Sequence, residues 1–166
     1  MNDAHLHLVF NHFPIIVPIV GLLILMVGFF IGSDVVKKTA FGVFILGAIL
    51  TFPAMYTGEG AEEIAETLPD VTKQLIHEHE EKAETLAIIN YILGIVSLIG
   101  FWAYWKQKSF ANYFAIAILV LGLTGIYFGK MTGTSGGEIR HTEIRVGYDG
   151  SQNIAPENKV LEGDDE

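Results

Sequence analysis

Cysteine is absent from this chain, which excludes disulfides, thiolate zinc sites, iron–sulfur clusters, covalent c-type haem attachment and thiol nucleophiles in one step. Charge is scarce too: Asp, Glu, Lys and Arg make up only 17% of the 166 residues, against 51% hydrophobic. Four runs lack charge altogether, residues 13–32, 39–57, 86–105 and 110–128. Each is long enough to cross a hydrocarbon layer, which takes roughly 20 apolar residues at 1.5 Å rise apiece. Basic residues nowhere gather into a patch, so nucleic acid is not an expected partner. Also missing are a nucleophile elbow, a phosphate-binding glycine loop and an H-E-x-x-H pair, and no spacing ties the many carboxylates to one pocket. The expectation is a membrane protein, with the lipid bilayer as its first partner and no independent catalytic activity.

What charge there is falls asymmetrically. The connections after the first and third runs hold Lys37, Lys38, Lys106 and Lys108 against a single acid, Asp34. The opposite face takes all the remaining acids, including Glu59, Glu62, Glu63, Glu66, Glu78, Glu80, Glu81 and Glu84, within a net charge of -9. Positive loops stay inside, so both termini are expected on the periplasmic side of a bacterial inner membrane. The first span is expected to stay in the membrane, because no Lys or Arg precedes it and no small-residue cleavage site follows it.

The fold class that follows is an all-α membrane protein, an antiparallel four-transmembrane-helix bundle with helical extensions on the outer face. Residues 1–130 read as the bundle, with spans at about 8–32, 39–58, 83–105 and 110–130 and an outer helical connection over 59–82. Residues 131–166 read as an acidic, partly ordered tail, loose at its Gly163–Glu166 end. Pro14 and Pro18 remove backbone donors and are expected to bend the first span near its outer end. Gly28 and Gly32, Gly94, Ser97 and Gly100, and Gly125 and Gly129 mark close helix approaches, a spacing also compatible with a homo-oligomer. Trp102, Tyr104, Trp105, Phe110 and Tyr113 read as interfacial anchors. In the outer connection, Ala61, Ile64, Ala65 and Leu68 keep helical spacing up to Pro69, and Asp70 is expected to cap a helix running on into the third span.

All six histidines lie on the acidic face. His5, His7 and His12 stand at the mouth of the first span, His77 and His79 ahead of the third, and His141 after the fourth. His79, Ala83, Leu86 and Asn90 recur at helical intervals, which turns His79 inward with Asn90, a polar group two turns deep that is expected to face the interior. His77 and His79 are two apart and point away from each other.

The run His7-Leu8-Val9-Phe10-Asn11-His12-Phe13-Pro14-Ile15 resembles the H-P-x-x-x-H-F-P-I opening of the domain-of-unknown-function 2231 family of bacterial four-span membrane proteins. The similarity runs from about Leu6 to Val146 through Thr51, Thr57 and Gly58, through His79 and Asn90, and through Gly136-Gly137-Glu138-Ile139. Leu8 stands where that family has proline, and His141 sits in a differently built tail. The resemblance implies a four-span fold and no established activity; some relatives are joined to c-type cytochrome domains, which implies proximity to electron transfer.

Three readings of the histidines stay open at this level. In the first, His12 and His79 are axial ligands of a b-type haem, with His7 capping and Asn90 supporting the site, as in other bis-imidazole cytochromes. In the second, His12, His79, His7 and His141 serve a divalent metal ion with nearby carboxylates. In the third, His7 caps the first helix, and the chain is a cofactor-free scaffold or partner of other membrane subunits. The acidic face suits a cationic partner such as a periplasmic cytochrome.

Overall fold

The computed structural model of the protein describes residues 2–148. Six α-helices follow one another: α1 (Asp3–Phe10), α2 (Phe13–Phe30), α3 (Asp34–Tyr56), α4 (Gly58–Ala65), α5 (Lys73–Trp105) and α6 (Ala111–Arg140), then a single 3₁₀ turn, Thr142–Ile144. There is no strand among the described residues. Four stretches are long and apolar enough to cross a membrane: Asp3–Phe30, Asp34–Tyr56, Lys73–Trp105 and Ala111–Arg140.

Local chemistry accounts for the breaks. Pro14 has no N–H to offer the Phe10 carbonyl, and the first stretch turns at residues 11–12 before restarting with Pro14 in its opening turn. Between α2 and α3 the chain reverses within three residues, and Gly32 takes a φ of 65° there, a left-handed conformation that suits a residue without Cβ. Ser33 then caps α3 by accepting from the Val36 N–H.

α2 packs on α3 and α6, α3 on α5, and α5 on α6, closing a ring of long helices. Its centre is apolar and tight: Leu25, Phe41, Phe44, Leu93, Ala115 and Ile118 are fully buried. α3 and α5 approach so closely that a Cβ on Gly94 would fall 2.5 Å from that of Ala48, the use of small residues the sequence pattern anticipates. The outward faces are apolar as well, with Ile16, Leu23, Phe30, Phe52, Ile95 and Val120 all more than half exposed. An outward apolar belt of this extent is far larger than the patches of ordinary water-soluble chains and, with four helices long and apolar enough to cross a bilayer, is consistent with a multi-pass membrane protein.

Several boundaries differ from the sequence expectations. α6 runs ten residues past 130, to Arg140, so the segment expected as tail begins as helix. The chain after it is tied down by Arg145, which donates to the carbonyls of Glu138 (2.7 Å), Asp70 (2.9 Å) and Ile139 (3.1 Å). The remainder of the expected tail, including Gly163–Glu166, lies outside the described residues. α4 stops at Ala65, short of Leu68. Asp70 does not cap α5: it sits at φ 63°, and Thr72 accepts from the Leu75 N–H instead (3.3 Å). Tyr104, expected as an interfacial anchor, is buried, and its hydroxyl donates to Asn112 Oδ1 at 2.6 Å.

Candidate functional site

His7 and His79 reach the outer end of the ring from opposite sides. His7, on α1, places Nδ1 3.0 Å from the Ala54 carbonyl near the end of α3, with the Thr57 hydroxyl at 3.4 Å. A carbonyl oxygen only accepts, so Nδ1 carries the proton. That leaves the lone pair of the neutral ring on Nε2. His79, on α5, places Nδ1 3.1 Å from Ser135 Oγ on α6. Ser135 Oγ in turn lies 3.1 Å from the Thr132 carbonyl, which is itself a hydrogen-bond partner of the His79 ring, so a hydroxyl and a carbonyl of α6 together anchor this imidazole. Gly136 makes room for this ring: a Cβ there would stand 2.9 Å from His79 Cε1. The two rings are close enough for charge on His7 to act on His79.

A second polar group lies deeper. Pro18 has no N–H, so the Pro14 carbonyl one turn earlier has no partner within α2. Asn90 supplies it, donating from Nδ2 at 2.9 Å, and also lies 3.2 Å from the Thr51 hydroxyl on α3. Asn90 is 1% exposed, and its Oδ1 has no partner among the described residues. Eleven residues separate it from His79, about 16 Å along α5. Asn90 therefore satisfies the carbonyl that Pro18 leaves open on α2 and does not support a centre held by His79.

Of the other expected ligands only His12 is near, its charge acting on His7. His12 is exposed and makes no side-chain cap, so the turn at residues 11–12 presents His7 inward in its place. His7 is not a helix cap: Asn2 caps α1, accepting from the His5 N–H at 3.0 Å. His141 pairs with Glu143 at 2.9 Å in the 3₁₀ turn. His77 faces Glu80 and Glu81 at 3.8 and 3.4 Å, pointing away from His79 as the helical spacing requires. Among the described residues no group of three or more His, Asp or Glu side chains is placed to hold a metal ion. Ser135, the partner of His79, is missed by the sequence reading because it lies beyond the expected end of the last span. The usable signal is the run Thr132 to Gly137, small and free of proline, which continues the helix and admits an imidazole.

Around this mouth the surface is acidic. Glu62 on α4 has its carboxyl pushed above the usual range, first by partial burial and then by Glu80, Glu66 and Glu59, with Lys73 pulling the other way. Lys73 also bridges to Glu66 at 3.0 Å across the α4–α5 connection.

The chain matches no protein-family model, and no curated protein or solved structure is significantly similar to it. What it does is therefore argued from the site itself.

Proposed function

We propose that this protein is a small multi-pass membrane subunit of an electron-transfer system. Its four spans alternate in direction, both termini lie on the periplasmic face of a bacterial inner membrane, and b-type haem is held at the outer mouth by His7 and His79. One observation carries the reading: two imidazoles on separate elements at the same mouth, each anchored at Nδ1, His7 by the Ala54 carbonyl and His79 by the Ser135 hydroxyl. Ligating histidines are characteristically oriented in this way, the distal N–H bonded to a carbonyl or hydroxyl so that the tautomer is set and the ligand nitrogen is basic.

The choice of haem over a bare ion follows from ligand number. A protein-bound divalent ion takes four or more ligands, typically three or four of them side chains, and the described residues bring no such set together. A haem iron arrives with four porphyrin nitrogens and needs only two imidazoles. Iron held this way would carry one electron at a time. The protein's own part is to orient the rings through Ala54 and Ser135, and to present carboxylates to a cationic donor or acceptor such as a basic cytochrome.

The test is a visible spectrum of detergent-purified protein from haem-supplied cells, oxidised and then dithionite-reduced. A Soret band that sharpens and shifts, with resolved α and β bands, is expected. It should vanish in His7→Ala and His79→Ala and persist in His12→Ala. A colourless wild type overturns the haem reading, as does a double variant that keeps its bands.

A further inference from the structure

The basic end of the molecule carries a feature the histidine mouth does not use. A groove of about 750 Å³ runs between α3 and α5, floored by Gly42 and lined by Leu46 and Phe101, with Lys38, Thr39 and Trp105 at its end. A second, of about 410 Å³, lies on the other side of Phe101 and Trp105 against Leu98, Ile99 and Trp102. Both volumes fall within the roughly 300–1,000 Å³ of ligand clefts, and the walls are almost wholly apolar.

The cations beside the grooves lack counter-charges. The single acid at this end, Asp34, is taken by Lys37 at 3.4 Å. Lys38, Lys106 and Lys108 have no carboxylate partner among the described residues; Lys106 stacks on the Trp105 ring at 4.9 Å and Lys108 on that of Trp102 at 5.7 Å. Thr39 gives its proton to the Val35 carbonyl at 3.1 Å, so the free donors at the rim are ammonium groups and the Trp105 indole N–H. Two neighbouring apolar grooves below a rim of unpaired cations complement one kind of molecule: two hydrocarbon chains joined at a negatively charged phosphodiester.

We infer that the α3–α5 groove and its neighbour bind an anionic diacyl phospholipid, with its chains on either side of Phe101 and Trp105 and its phosphate at Lys38, Lys106 and Lys108. This rests on the reading of the long helices as bilayer-spanning. Juxtamembrane lysines on the basic side attract anionic headgroups in this way, and the grooves add shape to the attraction.

Gly42 supplies the decisive variant, because a Cβ there meets nothing within 4 Å. Gly42→Leu fills the groove without displacing the fold. The experiment is native mass spectrometry of the full chain in detergent, titrated with dioleoyl phosphatidylglycerol or dioleoyl phosphatidylcholine. Wild type is expected to take up the anionic lipid at about 30- to 150-fold lower concentration, from two to three lysines near one headgroup. Gly42→Leu should weaken uptake of both lipids with an unchanged thermal midpoint, and the triple variant Lys38→Gln, Lys106→Gln, Lys108→Gln should lose the preference alone. Equal uptake of the two lipids by wild type overturns the site, and so does undiminished uptake by Gly42→Leu. Carbonate extraction of membranes separates the layers: a chain that leaves the membrane refutes the spanning reading itself, whereas a retained chain with no lipid preference refutes only this site.

Discussion

At the outer end, helices meet through directional contacts: His7 to the Ala54 carbonyl, His79 to the Ser135 hydroxyl, Asn90 to the Pro14 carbonyl. At the inner end, one ammonium does comparable work by a different route. Lys37 is 7% exposed, paired with Asp34 and set over the rings of Phe29 and Tyr104 at 5.2 and 5.3 Å. Gly28 creates the space, since a Cβ there would lie 2.9 Å from Lys37 Cγ. The difference lies in what each arrangement leaves unspent. A caged ammonium has no lone pair and its charge is satisfied, so the inner lock is closed chemistry. The contacts at the histidine end are directional and involve side chains with further hydrogen-bonding capacity, including the Asn90 Oδ1, buried with no partner among the described residues. That difference is why the proposed ligand site is placed at the histidine end and the proposed lipid site at the lysine end.

The middle of the ring serves both ends, and disturbing it should have the largest effect. Phe44 touches the Gly21 and Gly122 positions of α2 and α6, and Phe44→Ala is expected to cost about 3–5 kcal/mol, read as thermal unfolding in detergent. Next comes Asn90→Leu, which strands the Pro14 carbonyl in a buried site and should cost about 1–3 kcal/mol. A loss well below that range would mean that α2 does not depend on Asn90. Lys37→Met should cost less, within about 1 kcal/mol, because an apolar chain of similar length removes the desolvated charge and leaves Asp34 exposed to water. A much larger loss would make the inner lock the stronger of the two and reverse the comparison.

The spans were legible in the sequence because length and absence of charge are one-dimensional signals; each charge-free run lies within a long helix to within two residues at its ends. The inward turn of Asn90 was legible from spacing alone. Its partner was not: the pair Pro14 and Pro18 announces an unpaired carbonyl, but nothing in sequence says that a residue 76 positions away will meet it. Asp70 and Thr72 are both good capping residues, and backbone conformation decided between them. His12 looked like the inward ligand because it abuts the apolar run, whereas the rotation at residues 11–12 turned His7 inward. Lys130 looked like the end of the last span because charge commonly marks the boundary. The helix continued because Gly129 to Gly137 contains no proline, and this extension carried Ser135 to His79. Lys37 read as a loop charge, and its burial depends on Gly28, Phe29 and Tyr104 from two other helices.

The smallest effect should come from the edge of the outer end, where the 3₁₀ turn Thr142–Ile144 closes beside the mouth. Glu143 has its carboxyl held below the ordinary range, first by a hydrogen bond from its own backbone N–H and then by His141. A carboxyl with a depressed folded-state pKa contributes order that is fully present above its unfolded pKa and lost as pH falls through the folded one. The turn should therefore loosen below the ordinary carboxylate range, while the long helices, which do not depend on this pair, stay unchanged. Hydrogen exchange by mass spectrometry over residues 138–148, corrected for the intrinsic pH dependence of exchange, should show protection at pH 7 and a decline toward pH 3. Glu143→Gln should flatten that profile, because the neutral amide has no proton to gain. His141→Gln should keep most of it, because the backbone N–H is the larger influence. If His141→Gln flattened the profile as fully as Glu143→Gln, the imidazole would be the main support of the turn, and His141 would join His7 and His79 among the side chains that organise the outer end.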